Sequence, residues 1–510
     1  MKAFLMHRDR DFDVEAPLPP NEEALTQDLE LHTLFEAMAG GDNFLFDVAR
    51  RAVLMSLGDP QWIGYRQHVL ADSLEHPSVV RDIYTLALEA IEGERKVYFG
   101  LLSRSPDTIL HRSVEVLQLF VGVLRRLRAL ADDHAAEFRS EGFTRFFAML
   151  ATELDDEYFR AVEAHLRELR FRAGVLISAE LGRGNHGIHF TLRDQAGRRR
   201  TRRLSGRHRR PSYGFQIAER DESGYRALTE LRGKGLNLVA NALAQSTDHI
   251  LSFFRMLRSE LGFYVGCLNL HARLAEKGEP ACFPVPLPHD GVALSFRSLY
   301  DVCLTLNLEP RVVGNDVDAD DRRLVVITGA NQGGKSTFLR SVGLAQLMMQ
   351  CGMLVAAESF RANVCDGVFT HYKREEDPTM EKGKLDEELS RMSDIIDMIQ
   401  PNSIVLCNES FASTNEREGS EIGRQVIRAL VDSGMKILLV THLFDLAQGF
   451  YGEGMNDALF LRAERRPDGT RTFRLIEGEP LPTSYGQDLY QRVLGGGPAA
   501  AAPAHRDAAL

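Results

Sequence analysis

The residues best placed to do chemistry form one short run, Gly329-Ala330-Asn331-Gln332-Gly333-Gly334-Lys335-Ser336-Thr337, which fits the spacing Gly-x-x-x-x-Gly-Lys-[Ser/Thr]. Glycines at these places let successive backbone N–H groups converge on phosphate oxygens, and a following helix adds its N-terminal dipole. Lys335 is spaced to neutralise β- and γ-phosphate charge and Ser336 to ligate Mg²⁺. All nine residues are therefore candidate nucleotide ligands, with ATP and Mg²⁺ the expected cofactors. Such a site needs a second strand bearing polar groups, and Ser403-Ile-Val-Leu-Cys-Asn408-Glu409 supplies one. Glu409 is the candidate to position or activate the attacking water. Asn408 is the second candidate metal ligand, with a hydrogen-bonding oxygen but no charge, which predicts a weaker hold on the ion. A third apolar run ends at Thr441-His442, so His442 is expected at the same sheet edge, where it could sense the γ-phosphate.

A second kind of chemistry is suggested by Arg198, Arg199, Arg200, Arg202, Arg203, Arg207, Arg209 and Arg210, eight arginines with no acid among them. Cations this dense match an electrostatic footprint for nucleic-acid phosphates, with salt-sensitive affinity and no sequence readout of its own. A solvated basic loop is the plainer alternative.

These groups must be held by elements that the sequence also announces. Leu324-Val-Val-Ile-Thr328, Ser403 to Cys407 and Lys436 to Thr441 are short, continuous apolar runs followed by helical stretches, the pattern of buried parallel strands. The expected fold class is thus an α-helical core and lever region followed by an α/β P-loop NTPase domain. Residues 1–28, with three prolines and many acids, read as a loose arm. Residues 29–106 read as a helical core, with Gly58-Asp59-Pro60 and His76-Pro77-Ser78 marking helix starts. Residues 107–281 read as lever helices around a small strand-rich basic tip near 174–224. There Val175–Gly182 and Gly187–Arg193 alternate like strands, while Ile250, Phe254, Leu257, Leu261, Tyr264 and Leu268 keep a 3.5-residue repeat. Residues 282–494 read as the ATPase domain, after the proline linker Pro284, Pro286 and Pro288, and 495–510 as a disordered tail.

Composition sets the outer bounds. A chain of 510 residues, 44% hydrophobic, holds several domains, and its net charge of −11 argues against a surface coated in basic charge while permitting a local basic site. Six cysteines without a Cys-x-x-Cys pair support neither a zinc module nor a disulfide scaffold. The absence of a long apolar run or secretory leader points to a cytoplasmic protein with no membrane partner.

The motifs together resemble the ATPase module of the MutS family of DNA mismatch-repair proteins. That family's loop reads Thr-Gly-Pro-Asn-Met-Gly-Gly-Lys-Ser-Thr, and Thr328 to Thr337 match it except at Ala330 and Gln332. Asn315-Asp316, Gly352-Met-Leu-Val-Ala-Ala357, Phe369-Thr370, Thr441-His442 and Ser484-Tyr485-Gly486 are further landmarks in the family's order. The resemblance implies an ABC/MutS-type ATPase fold, a homodimer paired through ATPase domains, and a clamp at the lever tip that grips DNA, with RNA also open.

Three departures bear on what carries over. The chain begins at the family's core, so its mismatch-reading and connector domains are not expected, and nothing after the ATPase module reads as a nuclease. Lys382-Gly383-Lys384-Leu385-Asp386-Glu387-Glu388-Leu389 replaces the signature Ser-Thr-Phe-Met-Val-Glu-Met, keeping Glu388 but losing the serine that would touch a partner's γ-phosphate. Lys384 or a backbone group is left for that contact. Asn408-Glu409-Ser-Phe-Ala-Ser413-Thr414 follows a subgroup whose motif is Asn-Glu-x-Phe-x-Ser-Thr. Two functions stay open: an ATP-driven DNA clamp or remodeller, and a nucleotide-gated scaffold holding a protein or RNA with weak hydrolysis.

Overall fold

A computed structural model describes residues 1–97, 105–171, 174–193, 213–374 and 383–482. The arginine run 198–210, Ser484-Tyr485-Gly486 and the tail lie outside them. The described chain has a helical N-terminal part and α/β sheets in its C-terminal part, and divides into two compact units.

The first unit comprises Met1–Leu5, Asp9–Phe12 and His76–Leu261. Pro77, at the first helical position, starts the helix Pro77–Lys96, where its missing N–H costs nothing. The outgoing path is three successive helices. Pro106–His134 ends in a 3₁₀ turn, then Ser140 caps Glu141–Glu153 through Phe143 N at 3.3 Å. Asp155 caps Asp156–Glu168 through Tyr158 N at 2.7 Å. The strands β1 (Ile177–Leu181) and β2 (Gly187–Leu192) pair antiparallel, as their alternation predicts. The return is a single helix, Glu222–Glu276, on which Phe254, Leu257, Leu261 and Tyr264 are buried, in keeping with the heptad spacing. Its last part belongs to the second unit.

The second unit comprises Met6–Arg8, Asp13–Glu75 and Gly262–Leu510. Its strands are β3 (Val285–Leu287), β4 (Leu294–Leu299), β5 (Asn315–Asp318), β6 (Leu324–Gly329), β7 (Ser359–Asn363) and β8 (Val368–Tyr372). They continue with β9 (Ile404–Asn408), β10 (Lys436–Val440), β11 (Ala458–Arg465) and β12 (Arg471–Glu477). Six form a sheet in the order β12-β11-β6-β10-β9-β8, parallel except for the hairpin strand β12. The other four form the order β3-β7-β4-β5. The three apolar runs read from sequence thus lie side by side at the centre of the larger sheet, where both faces are covered. One face packs on Ile427, Leu430, Leu446 and Phe450, from the helices Glu416–Asp432 and Phe444–Gly452.

The loose arm expected over residues 1–28 is packed instead. Leu5 and Met6 are fully buried, Leu25 lies in the helix Glu22–Asp28, and Asp28 pairs with Arg374 at 2.8 Å. Nor does the chain-order split between a helical core and an ATPase domain describe the compact units, since residues 13–75 cluster with the ATPase sheet. The reason is the helix Lys335–Gln350. It is buried on nearly every side, so it needs cover beyond what the sheet gives. Leu29 packs at Gly343, and Arg340 bonds both Glu30 and Asp301.

Candidate nucleotide site

The loop 329–334 joins the end of β6 to the helix Lys335–Gln350, the strand-loop-helix order the motif requires. Gly329 and Gly334 have φ of +105° and +88°, values that L side chains rarely adopt, and between them Gln332 is also left-handed at +58°. Lys335 is folded under the loop, its Nζ donating to Gly329 O at 3.0 Å and Ala330 O at 3.2 Å. Burial pushes the Lys335 ammonium below its usual pKa, Glu409 pulls it back up and Arg471 presses it down. A cation so poorly solvated gains more from an anionic phosphate than an exposed lysine would.

Parallel pairing brings the remaining groups to the same edge. Val440 is in register with both Asn408 and Ile327, so the segments after β6, β9 and β10 emerge together. Ser336 Oγ donates to Asn408 Oδ1 at 3.0 Å. His442 Nδ1 lies 3.9 Å from Glu409 Oε2, each side chain about one-third exposed. Thr441 Oγ1 accepts from Leu443 N at 3.0 Å, which fixes the turn carrying His442. Two neutral oxygens side by side fit a hard divalent cation that takes its other ligands from phosphate and water. The sequence-derived Lys335, Ser336, Asn408, Glu409 and His442 are thus drawn together, whereas the arginine run falls outside the described residues.

The turn after Asn408 is unusual. Glu409 and Phe411, neither of them glycine, have φ of +55° and +64°. Such backbone persists only where its surroundings over-determine it. Glu409 N donates to Val440 O at 2.8 Å. Buried Glu388, on the helix Lys384–Met398, accepts from Phe411 N at 2.5 Å. Buried His371 sits 2.7 Å from Ser410 Oγ through Nδ1 and 3.0 Å from Glu388 O through Nε2, and its ring stacks on Phe411. Burial drives the His371 pKa down to about 4, with its bond to Glu388 opposing and Arg391 and Arg374 adding to the shift. The neutral ring carries one proton, and because Nε2 faces a carbonyl the proton belongs there. Ser410 Oγ then stands 2.7 Å from the unprotonated Nδ1 and 2.8 Å from His371 O, and its one hydroxyl proton is shared between these two acceptors. On the far side Gly419 admits no side chain, because a Cβ would stand 2.3 Å from Phe411 O.

Sequence reasoning did not find the wall to which residues 308–313 and β12 contribute. A cavity of about 440 Å³ opens beside the loop, lined among others by Leu308, Val312, Val313, Thr337, Phe338 and Phe473. Arg471 Nε donates to Asn331 O at 3.3 Å. Asn315 holds β12 in place, donating to Phe473 O at 3.3 Å and accepting from Leu475 N at 2.7 Å. The only signal for this wall was Asn315 itself, a landmark of the family resemblance with no role attached.

Fold and loop together define a P-loop nucleotide-binding domain joined to a helical region. Residues 58–277 match the description "MutS2 N-terminal domain" and residues 325–493 match "MutS domain V". The chain is similar to the DNA mismatch repair protein MutS of Thermotoga neapolitana, 32% identical over 179 residues, which are 34% of this chain and 22% of the relative. It is similar to Endonuclease MutS2 of Lacticaseibacillus casei, 31% identical over 218 residues, 42% of this chain and 26% of the relative. The mismatch repair protein MutS of Chlorobium chlorochromatii is 30% identical over 236 residues, 44% and 27% of the two chains. The chain belongs to the MutS family. Its matches span about a quarter of the length of these curated relatives. Among the described residues no helix is long and apolar enough to cross a membrane.

Proposed function

We propose that this chain binds and hydrolyses ATP with Mg²⁺, pairs with a second copy through the P-loop face, and couples turnover to clamping or remodelling DNA. The observation that carries the reading is the convergence of Lys335, Ser336, Asn408, Glu409 and His442 on one sheet edge, with Ser336 and Asn408 in direct contact at 3.0 Å. Residues 329–334 and Lys335 hold the phosphates, and the cavity walled by Val312, Val313 and Phe473 takes the nucleoside. Ser336 and Asn408 would hold Mg²⁺, which when bound neutralises phosphate charge. Glu409 orients a water and takes its proton as the water oxygen bonds the γ-phosphorus, the β–γ bridging bond breaks and ADP leaves. His442, beside Glu409, faces the transferred group.

The DNA arm rests on family membership, on the printed names of the relatives and on the eight arginines at 198–210. The neutral Ser336–Asn408 pair favours one alternative, a nucleotide-gated scaffold that turns over slowly. The test measures ATP affinity, turnover and binding to mismatched duplex, branched DNA, single strands and RNA at several salt concentrations. Glu409→Gln is expected to keep nucleotide affinity and lose about 100-fold or more in kcat. Parental turnover in that variant overturns the role of Glu409. Converting Arg198 to Arg203 to alanine is expected to weaken DNA binding and flatten its salt slope. Equal binding by both forms removes the arginine run from the DNA site.

A further inference from the structure

The turn that carries Glu409 is held by groups belonging to the segment where the family keeps its signature, and this arrangement reaches beyond the placement of ligands. Ser410 and Phe411, directly after Glu409, are fully buried, as are His371 and Glu388. Each of the two backbone steps after Glu409 has its own tether. At Ser410 the hydroxyl meets His371 Nδ1 at 2.7 Å, and the other ring nitrogen is fixed on Glu388 O at 3.0 Å. At Phe411 the N–H is held by Glu388 Oε1 at 2.5 Å. Both tethers therefore reach Glu388, the first through His371 to its main chain and the second directly to its carboxylate, while Ser410 Oγ also bonds the β8 main chain at His371 O, 2.8 Å away. The other carboxylate oxygen, Oε2, is buried without a hydrogen bond, so the carboxylate is oriented by its single bond to the turn. The ring of His371 stacks on Phe411 at 5.6 Å between centroids, adding a third restraint.

Physical chemistry says what this costs and what it gives. A left-handed φ at a residue other than glycine is unfavourable by about 1–2 kcal/mol, so the pair Glu409 and Phe411 would relax if released. Relaxation swings the Glu409 carboxylate away from the edge shared with Ser336 and His442. The helix Lys384–Met398 places Glu388 on its second turn, counted from the glycine that begins it. A rotation or shift of that helix thus acts on the backbone of the turn directly, with no intermediate layer.

We propose that Glu388, together with His371 and Ser410, is a positioning unit that sets the Glu409 carboxylate for attack, and that the signature-region helix controls hydrolysis through it. This rests on the reading of Glu409 as the residue that orients water. All three side chains are buried behind the turn, so they are expected to act on turnover and to leave binding to the loop 329–334.

The experiment compares Glu388→Ala, Glu388→Gln and Ser410→Ala with the parent chain. It measures nucleotide affinity, kcat and KM for ATP, thermal stability, and hydrogen exchange of the amides in 405–415. Glu388→Ala is expected to lower kcat on the order of 100-fold, the scale of a misplaced catalytic group, while KM and affinity stay within about twofold. Glu388→Gln keeps an oxygen acceptor for Phe411 N and is expected to recover most of that loss. Ser410→Ala is expected to fall between. Exchange at the Phe411 amide is expected to quicken about tenfold in Glu388→Ala and to return towards parental in Glu388→Gln, as loss and recovery of one charged hydrogen bond require.

Parental kcat in a folded Glu388→Ala variant overturns the proposal. So does a loss shared equally by affinity and kcat, or equal damage by alanine and glutamine. If Glu388→Ala fails to fold, Ser410→Ala decides, and parental kcat there overturns it. A parent chain that binds but never hydrolyses ATP sinks the hydrolytic reading of Glu409 instead. The exchange arm then decides the tether alone, and unchanged Phe411 protection in Glu388→Ala overturns it.

Discussion

Two turns meet at the nucleotide edge, and they reach left-handed backbone by opposite means. In the loop 329–334 two of the three left-handed positions, Gly329 and Gly334, are glycines and only Gln332, at +58°, carries a side chain, so most of the conformation is cheap wherever that sequence stands. At 409–411 the demanding positions are a glutamate and a phenylalanine, and the conformation is imposed by His371, Glu388 and the missing side chain of Gly419. The first turn is a property of nine consecutive residues. The second is a property of four segments brought together by folding, so it answers to anything that moves them.

Breaking the first turn gives the largest effect. Lys335→Ala removes a buried cation and its hydrogen bonds, and is expected to cost ATP affinity about 100-fold or more, read by titration with a fluorescent analogue. Near-parental affinity would mean that the loop does not hold the phosphates.

The second turn should show a pH dependence that the first lacks. In the unfolded chain His371 takes up its proton near pH 6.5, and in the folded chain only near 4. Between those values the unfolded state binds more protons, so this contribution is full above about pH 6.5 and is lost as pH falls through about 4, by roughly 3 kcal/mol. Denaturant unfolding of the parent and of His371→Gln across this range checks it. The parent's stability should fall more steeply with acid, and equal slopes would contradict the neutral, buried ring.

A sharper contrast comes from restoring the absent charge. Asn408→Asp places a carboxylate against Ser336 and is expected to lower the Mg²⁺ concentration for half-maximal turnover about tenfold. An unchanged Mg²⁺ requirement would remove Asn408 from the metal site. The smallest effect is expected at the wall: Phe473→Ala should raise KM for ATP about fivefold with kcat little altered, the size of one lost aromatic contact. A fall in kcat alone would place Phe473 in some other role.

What could be read from the sequence follows the same division. The loop 329–334, the three central strands and the heptad-bearing helix Glu222–Glu276 were legible because each is encoded by neighbours. Glu409 and His442 were legible as types at strand ends, and the parallel register then brings them within 3.9 Å of each other. The wall was not legible: Arg471 meets Asn331 across 140 residues, and Leu475 meets Asn315 across 160. The packing of residues 1–28 was hidden for a related reason. Prolines and acids make that stretch look unable to fold by itself, but Leu5, Met6 and Leu25 are buried, and Leu5 N and Asp28 find partners in Glu260 and Arg374, far along the chain.

Gly419 extends the comparison into genetics. It binds nothing and lies in the helix Glu416–Asp432, where alanine is ordinarily an improvement. Yet the smallest possible side chain there would collide with Phe411 O, main chain that has no freedom to yield. A saturation screen selecting for function should therefore score Gly419 as intolerant as the loop glycines, and a map of intolerant positions would draw the site's boundary one helix beyond any residue that touches nucleotide.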